Sequence, residues 1–209
     1  MSNPQLEVVT DWDGTVTEHD TLFASLERFV APDVLAALEA ELDAGLASGS
    51  ITHREVMERE WSLMTATLAE VVAFVRQTAR VRKGFAAFVD RFNPLILSSS
   101  FYETISPVLG REGIAAPRLR ANHAEPRPSG WRITWTSDSA CTICGEPCKR
   151  GSLPDAPFVY IGDGYSDRCA SLAAQRIFAR GGLARYLHQR GVDFEAFTDF
   201  TSVVTALSG

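Results

Sequence analysis

Apolar positions along the chain follow two different rhythms. "LEVVTDWDG", residues 6–14, is a brief run carrying β-branched Val8 and Val9 and stopping at Gly14, which predicts a short buried strand. From there apolar residues recur at helical spacing: Leu22, Phe23, Leu26, Phe29 and Val30, then, past Pro32, Val34, Leu35, Leu38 and Leu42. "GLASGS" interrupts the pattern. Thr52 and Glu55 then form a capping-box pair, with Ile51 and Val56 placed for a hydrophobic staple, and Thr67 and Glu70 form a second box ahead of Val71, Val72, Phe74 and Val75. Residues from about 17 to 81 therefore read as an all-helical block of three or four helices.

After "RVRKG" the rhythm alternates. Helix "FAAFVDRF" leads through Pro94 to an apolar strand, "LILSSSF"; "YETISPVLGREG" is helical, and "RLRANHAEPRPSGWRITW" reads as two strands joined by a Pro/Gly turn. "FVYIGDGYSD" is another buried strand ending in carboxylates. Helix "RCASLAAQ", short strand "IFA", helix "LARYLHQRG" closed by Gly191 and a terminal helix "FTSVVTAL" follow. Strands alternating with helices predict a parallel α/β sheet. The expected organisation is an α/β core from residues 1–16 and 82–209, with residues 17–81 as a helical insertion after the first strand.

Composition narrows the partners. The 209 residues are 45% hydrophobic and 22% charged, enough for one sizeable domain plus an insertion. The formal net charge is −6 and the basic residues are scattered, so there is no electrostatic footprint for nucleic acid or an anionic membrane, and a small molecule is the expected partner. No apolar run reaches the roughly 20 residues that span a bilayer, and "MSNPQLEVV" lacks the basic-then-apolar pattern of a signal peptide; a cytoplasmic protein is expected. Its four cysteines, Cys141, Cys144, Cys148 and Cys169, are then expected to be reduced or metal-bound. Three of them crowd into "CTICGEPCK", and a Zn²⁺ site there would need a fourth ligand from elsewhere, such as His123 or Cys169.

Three apolar strands end in polar groups: Asp11 and Asp13, Ser98 to Ser100, and Asp163 with Asp167. In an open α/β sheet ligands bind outside such strand ends. Residues two apart on an extended strand point the same way, so Asp11 and Asp13 face one ligand while Trp12 turns to the opposite face and the core. Clustered carboxylates repel unless a cation sits among them, and an oxygen-only donor set suits Mg²⁺.

Asp11-Trp-Asp-Gly-Thr15, Ser98, Lys149 in "CKRGSLP", and "GDGYSD" with Asp163 and Asp167 resemble, in order and spacing, the four motifs of the haloacid dehalogenase superfamily. The insertion resembles the C1-type cap of its phosphoserine phosphatase-like branch. The stretches "KGFAAFVDRFNPLILSSSFYETISPVLGREGI" and "FVYIGDGYSDRCASLAAQRIFARGGLARYLHQRGVDF" are most similar to the part of that branch holding 2-hydroxy-3-keto-5-methylthiopentenyl-1-phosphate, phosphoserine and phosphocholine/pyridoxal phosphate phosphatases.

The resemblance implies a Rossmannoid parallel-sheet core with a helical cap, and a Mg²⁺-dependent phosphatase that hydrolyses a small phosphorylated metabolite through an aspartyl phosphate. It makes Asp11 the nucleophile and Asp13 the general acid and base. It assigns Mg²⁺ to Asp11, the backbone carbonyl of Asp13, Asp163 and Asp167, the last orienting Lys149 or metal-bound water. Ser98, Ser99, Gly14 and Thr15 border the phosphate, and Lys149 supplies fixed positive charge. Ser99 and Ser100 stand where relatives carry glycines, "SGGF" becoming "SSSF", which narrows the room there.

Specificity is expected from Glu18, His19 and Asp20 past the first motif and from His53, Arg54, Arg59 and Trp61 in the insertion. Asp20 stands about where phosphoserine phosphatases hold a substrate amine, and Arg54 suits a substrate carboxylate. Arg59 and Glu55, four apart on one helix, are expected to pair with each other. Two other readings stay open: a phosphotransferase using the same residues, and a metal-responsive binding protein built on Cys141, Cys144 and Cys148. Carbon–halogen hydrolysis is disfavoured because it does not need Asp13.

Overall fold

A computed structural model describes residues 6–114 and 118–209; residues 1–5, on which part of the signal-peptide reading falls, lie outside the described residues. Among the described residues seven strands form one sheet: β1 (Glu7–Thr10), β2 (Leu95–Phe101), β3 (Arg118–Glu125), β4 (Arg132–Thr134), β5 (Phe158–Gly162), β6 (Arg176–Ala179) and β7 (Glu195–Ala196). Their order is β4-β3-β2-β1-β5-β6-β7, and every pairing is parallel except β3 with β4. The alternating strand and helix signals thus give the parallel α/β sheet they predicted. From central β1 the chain steps to β2 and β3 on one side and then to β5, β6 and β7 on the other. The strand order therefore reverses at β1, and the crevice at a reversal is where an open α/β sheet binds its ligand.

Four helices lie between β1 and β2: α1 (Thr21–Phe29), α2 (Pro32–Ser48), α3 (His53–Trp61) and α4 (Leu68–Thr78). Both expected capping boxes form, Thr52 with Glu55 and Thr67 with Glu70. The helix α2 runs on through Gly45, so the interruption expected over "GLASGS" comes only at Gly49. The two ends of this segment meet in an antiparallel bridge between Thr17 and Val81, flanked by Glu18 N–H to Arg80 C=O at 2.8 Å and Arg82 N–H to Val16 C=O at 2.8 Å. The remaining helices are α5 (Phe85–Phe92), α6 (Tyr102–Arg111), α7 (Arg168–Ser171), α8 (Gly181–Gln189) and α9 (Phe200–Ser208).

Three local expectations are corrected. Helix α7 covers only Arg168–Ser171 of "RCASLAAQ", because Gln175 N–H already bonds Phe158 C=O at 3.0 Å as the chain enters the sheet. Strand β7 was not anticipated; at two residues it is too short to show a period. Arg59 pairs with Glu41 at 2.9 Å and not with Glu55, whose carboxylate is already held by Thr52.

The apolar core runs continuously from the sheet into the helical insertion. Trp12 is fully buried, edge-on to Phe85 at 6.3 Å, as its place between the two aspartates predicted. Trp61, at the end of α3, meets Phe101 at 4.7 Å and Trp131 at 5.2 Å, and the Trp131 indole N–H donates to Ala66 C=O at 2.9 Å. These contacts seat the insertion over the carboxyl end of β2. The β2–β3 register shifts between Leu97 and Phe101, so Ser98 to Ser100 leave the regular ladder where they approach Asp13.

Candidate active site

The β1 strand delivers Asp11 and Asp13 to the strand-order reversal, and the loop after it turns at once. Gly14 adopts φ +71°, and a Cβ there would lie 2.3 Å from Asp163 Oδ2, so glycine is required by conformation and by close approach. Arg82 ties this loop down, donating to the carbonyls of Thr15 at 3.0 Å, Gly14 at 3.1 Å and Glu18 at 3.2 Å.

Lys149 begins a short 3₁₀ turn, Lys149–Ser152, and its ammonium reaches Asp11 Oδ1 and, at 2.7 Å, Asp167 Oδ1. Asp167 is completely buried. Its Oδ1 also accepts from the Tyr160 hydroxyl at 2.7 Å, and its Oδ2 accepts from the amides of Asp163 and Gly164, both at 3.0 Å. Asp163 is held by the Thr15 hydroxyl at 2.8 Å. Oxygens of Asp11, Asp163 and Asp167 lie within 4.8 Å of one another. The Asp13 carboxylate lies apart from that triad: Oδ1 accepts from Thr21 N–H at 2.7 Å and from the Thr21 hydroxyl, and Oδ2 accepts from the Ser100 hydroxyl.

Burial sets the charges, and neighbours correct them. Desolvation and the nearby Asp167 push the Asp11 carboxyl well up, against the pull of Lys149. Asp163 is raised for the same two reasons, burial first. Desolvation and Asp20 push Asp13 up to about 6, although its hydrogen bonds from Ser100 and Thr21 work the other way. Burial alone would raise Asp167, but the Lys149 charge and hydrogen bond, with the Gly164 amide, hold it below the ordinary carboxylate range. Lys149 goes up: burial disfavours its charge, and Asp11 and Asp167 outweigh that. The site thus holds one firmly ionised Asp–Lys pair, two carboxylates short of positive charge, and an aspartate that can change protonation near neutrality.

A cleft of about 780 Å³ opens onto this cluster and is lined by Asp11, Asp13, Ser98, Ser99, Asp163 and, from the helical insertion, Asp20 and Glu60. Asp20 caps α1, accepting from Phe23 N–H at 2.9 Å, while facing the cleft. Burial, then the charge of Asp20, pushes Glu60 up to about 7. His53 borders the cleft stacked on Tyr165 at 5.7 Å; burial and Lys149 push its pKa down to about 4, so it is neutral.

Other sequence candidates fall elsewhere. Arg54 lies on a neighbouring cavity, paired with Asp138 at 2.5 Å and Glu58 at 3.3 Å, its guanidinium over Trp135. The Gly14 amide donates to the Thr17 hydroxyl at 3.2 Å, and the Thr15 hydroxyl is spent on Asp163, so both serve the loop. His123 bonds Glu103 at 2.7 Å and stands outside the cysteine group, in which Cys169 joins Cys141, Cys144 and Cys148.

Sequence reasoning missed Thr21, Tyr160, Arg82 and Glu60, and named Ser100 without giving it a role at Asp13. Ser100 carried a signal: alternation along β2 puts it with Ser98, on the side that meets Asp13. Tyr160 and Arg82 looked like ordinary strand and loop residues.

Carboxylates, a buried lysine and serines gathered at the strand-order reversal of a parallel sheet define an α/β protein with a ligand site at its strand ends and a helical insertion beside it. The chain belongs to the haloacid dehalogenase-like hydrolases, whose family model matches residues 8–171. It is a phosphoric monoester hydrolase. It is 32% identical over 217 residues to 2-hydroxy-3-keto-5-methylthiopentenyl-1-phosphate phosphatase of Geobacillus kaustophilus (strain HTA426), an alignment covering 97% of this chain and 96% of the relative. The enzyme of the same name from Bacillus velezensis is 31% identical over 214 residues, covering 96% of this chain and 88% of the relative. Among solved structures, a phosphoserine phosphohydrolase-like protein from Francisella tularensis superposes with a TM-score of 0.70 at 17% identity, covering 96% of this chain and 99% of the other, which shows the fold. Among the described residues no helix is long and apolar enough to cross a membrane.

Proposed function

We propose that this protein is a Mg²⁺-dependent phosphatase that hydrolyses a small-metabolite phosphomonoester through a phosphoryl group carried on Asp11. The observation that carries the reading is the meeting of Asp11, Asp163, Asp167 and Lys149, with Asp13 beside them, at the strand-order reversal, the place where open α/β sheets bind ligands.

The donor set fits the metal. Asp11 and Asp163 offer hard oxygen ligands, and both carboxyls are raised by burial and then by the charge of Asp167, a repulsion that a divalent cation among them would offset. Asp11, the Asp13 carbonyl and Asp163 would hold Mg²⁺, with Asp167 behind them, and the bound ion would offset repulsion between carboxylate and phosphate.

The residues of the chain divide the chemistry as follows. An Asp11 oxygen attacks phosphorus as the bond to the leaving oxygen breaks, and Asp13, protonated below about pH 6, gives that oxygen its proton. Asp13, now ionised, takes a proton from the water that attacks the phosphoryl group, and the bond to Asp11 breaks. Lys149 keeps Asp11 oriented and offsets its charge, and Asp167 with Tyr160 keeps Lys149 in place. Ser98 and Ser99 line the cleft beside the aspartates and would border the phosphate.

Residues 17–81 act, in this reading, as a cap on the core of residues 1–16 and 82–209. Its cleft wall is mixed, with Leu22, Phe23, Leu26, Leu42 and Met57 set among the carboxylates of Glu18, Asp20, Glu39, Asp43 and Glu60. Arg54, the cation suited to a carboxylate substrate, faces away, which disfavours phosphoserine. The apolar part of this wall has room for an apolar tail, and the relatives' names support the methylthiopentenyl phosphate as first candidate.

The test is a panel of phosphomonoesters with added Mg²⁺: the methylthiopentenyl phosphate, phosphoserine, pyridoxal phosphate, phosphocholine and p-nitrophenyl phosphate. Release of inorganic phosphate that chelator abolishes is expected, fastest for the first. Hydrolysis of none, with Mg²⁺ present, overturns the phosphatase reading; preference for phosphoserine overturns the reading of the cap.

A further inference from the structure

Outside the cleft, the loop 141–148 and helix α7 bring four sulfurs together. Those of Cys141, Cys144, Cys148 and Cys169 lie within 4.8 Å of one another, with Cys144 to Cys148 at 3.5 Å and Cys141 to Cys169 at 3.7 Å, and all four are free thiols. Four thiolates around a tetrahedral Zn²⁺ at about 2.3 Å stand about 3.8 Å apart, so the observed spacing needs little adjustment. The loop is already turned for the purpose. Gly145 adopts φ +79°, its amide closes onto Cys141 C=O at 2.8 Å, and Ile143 N–H points at Cys141 Sγ at 3.4 Å. Amides aimed at a sulfur stabilise the thiolate that a metal needs. Cys144, Cys148 and Cys169 also border a cavity of about 420 Å³, which gives an ion a way in.

We propose that Cys141, Cys144, Cys148 and Cys169 bind one structural Zn²⁺, and that this ion clamps the loop carrying Lys149 to the helix that follows Asp167. Soft sulfur donors in a tetrahedral set select zinc over the hard cation proposed for the cleft. Four protein ligands leave no open position, so the ion is structural and not catalytic. On binding, the thiols give up their protons to solvent. Cys148 immediately precedes Lys149, and Cys169 follows Asp167 by one intervening residue, so the metal would fix from outside the separation that the buried Lys149–Asp167 ion pair spans at 2.7 Å. Arg150 adds a second tie, donating to Cys169 C=O at 2.9 Å. Only this positional role rests on the phosphatase reading.

The experiment measures zinc in the untagged full-length chain, purified with reductant and dialysed against metal-free buffer, and then records the spectrum after exchange with Co²⁺. About one zinc per chain and the intense sulfur-to-cobalt absorption of a tetrahedral thiolate site are expected. Four titratable thiols with no zinc, or two disulfides formed under these conditions, overturns the site. Cys169→Ser should lose zinc and weaken the cobalt bands, whereas His123→Ala should keep both; the reverse result overturns Cys169 as the fourth ligand. If Cys169→Ser does not fold, the zinc content and cobalt spectrum of the unaltered chain still decide. Stripping zinc from the folded enzyme is expected to lower kcat with KM unchanged, and unchanged kcat overturns the clamp. Zinc without phosphomonoester hydrolysis would overturn the phosphatase reading and uphold the site, so the two failures are distinguishable.

Discussion

The Lys149 ammonium stands between Asp11 and Asp167, bonded to both carboxylates in a pocket where Asp167 has no solvent contact. Removing one member of such a buried group leaves charge without a partner, at a typical cost of about 3–5 kcal/mol. Lys149→Met should therefore destabilise the metal-free protein by about 3 kcal/mol in urea unfolding at neutral pH. Added Mg²⁺ should restore part of the loss by supplying the missing positive charge. A variant as stable as the parent would show that the ammonium is not needed to hold these carboxylates.

Asp11→Asn keeps the shape of the side chain and one oxygen for Lys149, so the fold should survive, as circular dichroism and melting would report. Turnover of any substrate should fall by more than about a thousandfold, because the amide cannot carry the phosphoryl group. Normal turnover in a folded variant would rule out Asp11 as nucleophile.

Ser100 donates to Asp13, and that bond favours the ionised carboxylate. Ser100→Ala should raise the Asp13 pKa above about 6 and, where attack of water limits kcat and Asp13 must be ionised, move the acid limb of the rate profile upward, with kcat reduced by roughly tenfold at that limb. Ser99, whose carbonyl accepts from Asn122 at 2.7 Å, is the control, and Ser99→Ala should leave the limb in place. An unmoved limb in Ser100→Ala would separate Asp13 from the observed titration.

The strand ends were legible because β1, β2 and β5 are short apolar runs that stop at polar residues; their meeting place follows from topology, and the roles of their residues from the family resemblance. The insertion was legible from spacing as three or four helices, and the two capping boxes marked the starts of α3 and α4. What the sequence hid is mostly second partners. Tyr160 sits in an apolar strand where its hydroxyl looks incidental, yet it fixes Asp167. Arg82 acts on backbone carbonyls, which leave no mark in side-chain types. Arg54 shows the converse: a plausible anion partner by type, it is claimed by Asp138 and Trp135, far along the chain.

Stability should depend on pH with a sign set by the raised carboxyls. Asp13 at about 6 and Glu60 at about 7 bind protons more tightly in the folded chain than their ordinary values of 3.8 and 4.5 allow, and Asp11 and Asp163 shift the same way. The folded state thus holds more protons than the unfolded one across this window, and stability present below about pH 4 is lost as pH rises through 6 and 7. Asp167 and Lys149 do not offset this, the first being lowered and already ionised and the second raised and still charged, whereas His53, lowered to about 4, opposes it by one proton between about pH 4 and 6.5, against the several carboxyls that are raised. The metal-free protein should melt progressively lower between about pH 5 and pH 7.5, while Mg²⁺ should raise the Tm little at the acid end and increasingly toward the other, as protons stop competing for its ligands. Glu60 lies on the cap side of the cleft, away from the metal ligands, so Glu60→Gln should flatten the neutral end of the metal-free curve and leave the Mg²⁺ effect intact. A flat metal-free profile would mean that these carboxyls are not held protonated by burial, and the electrostatic case for a cation among them would fall with it.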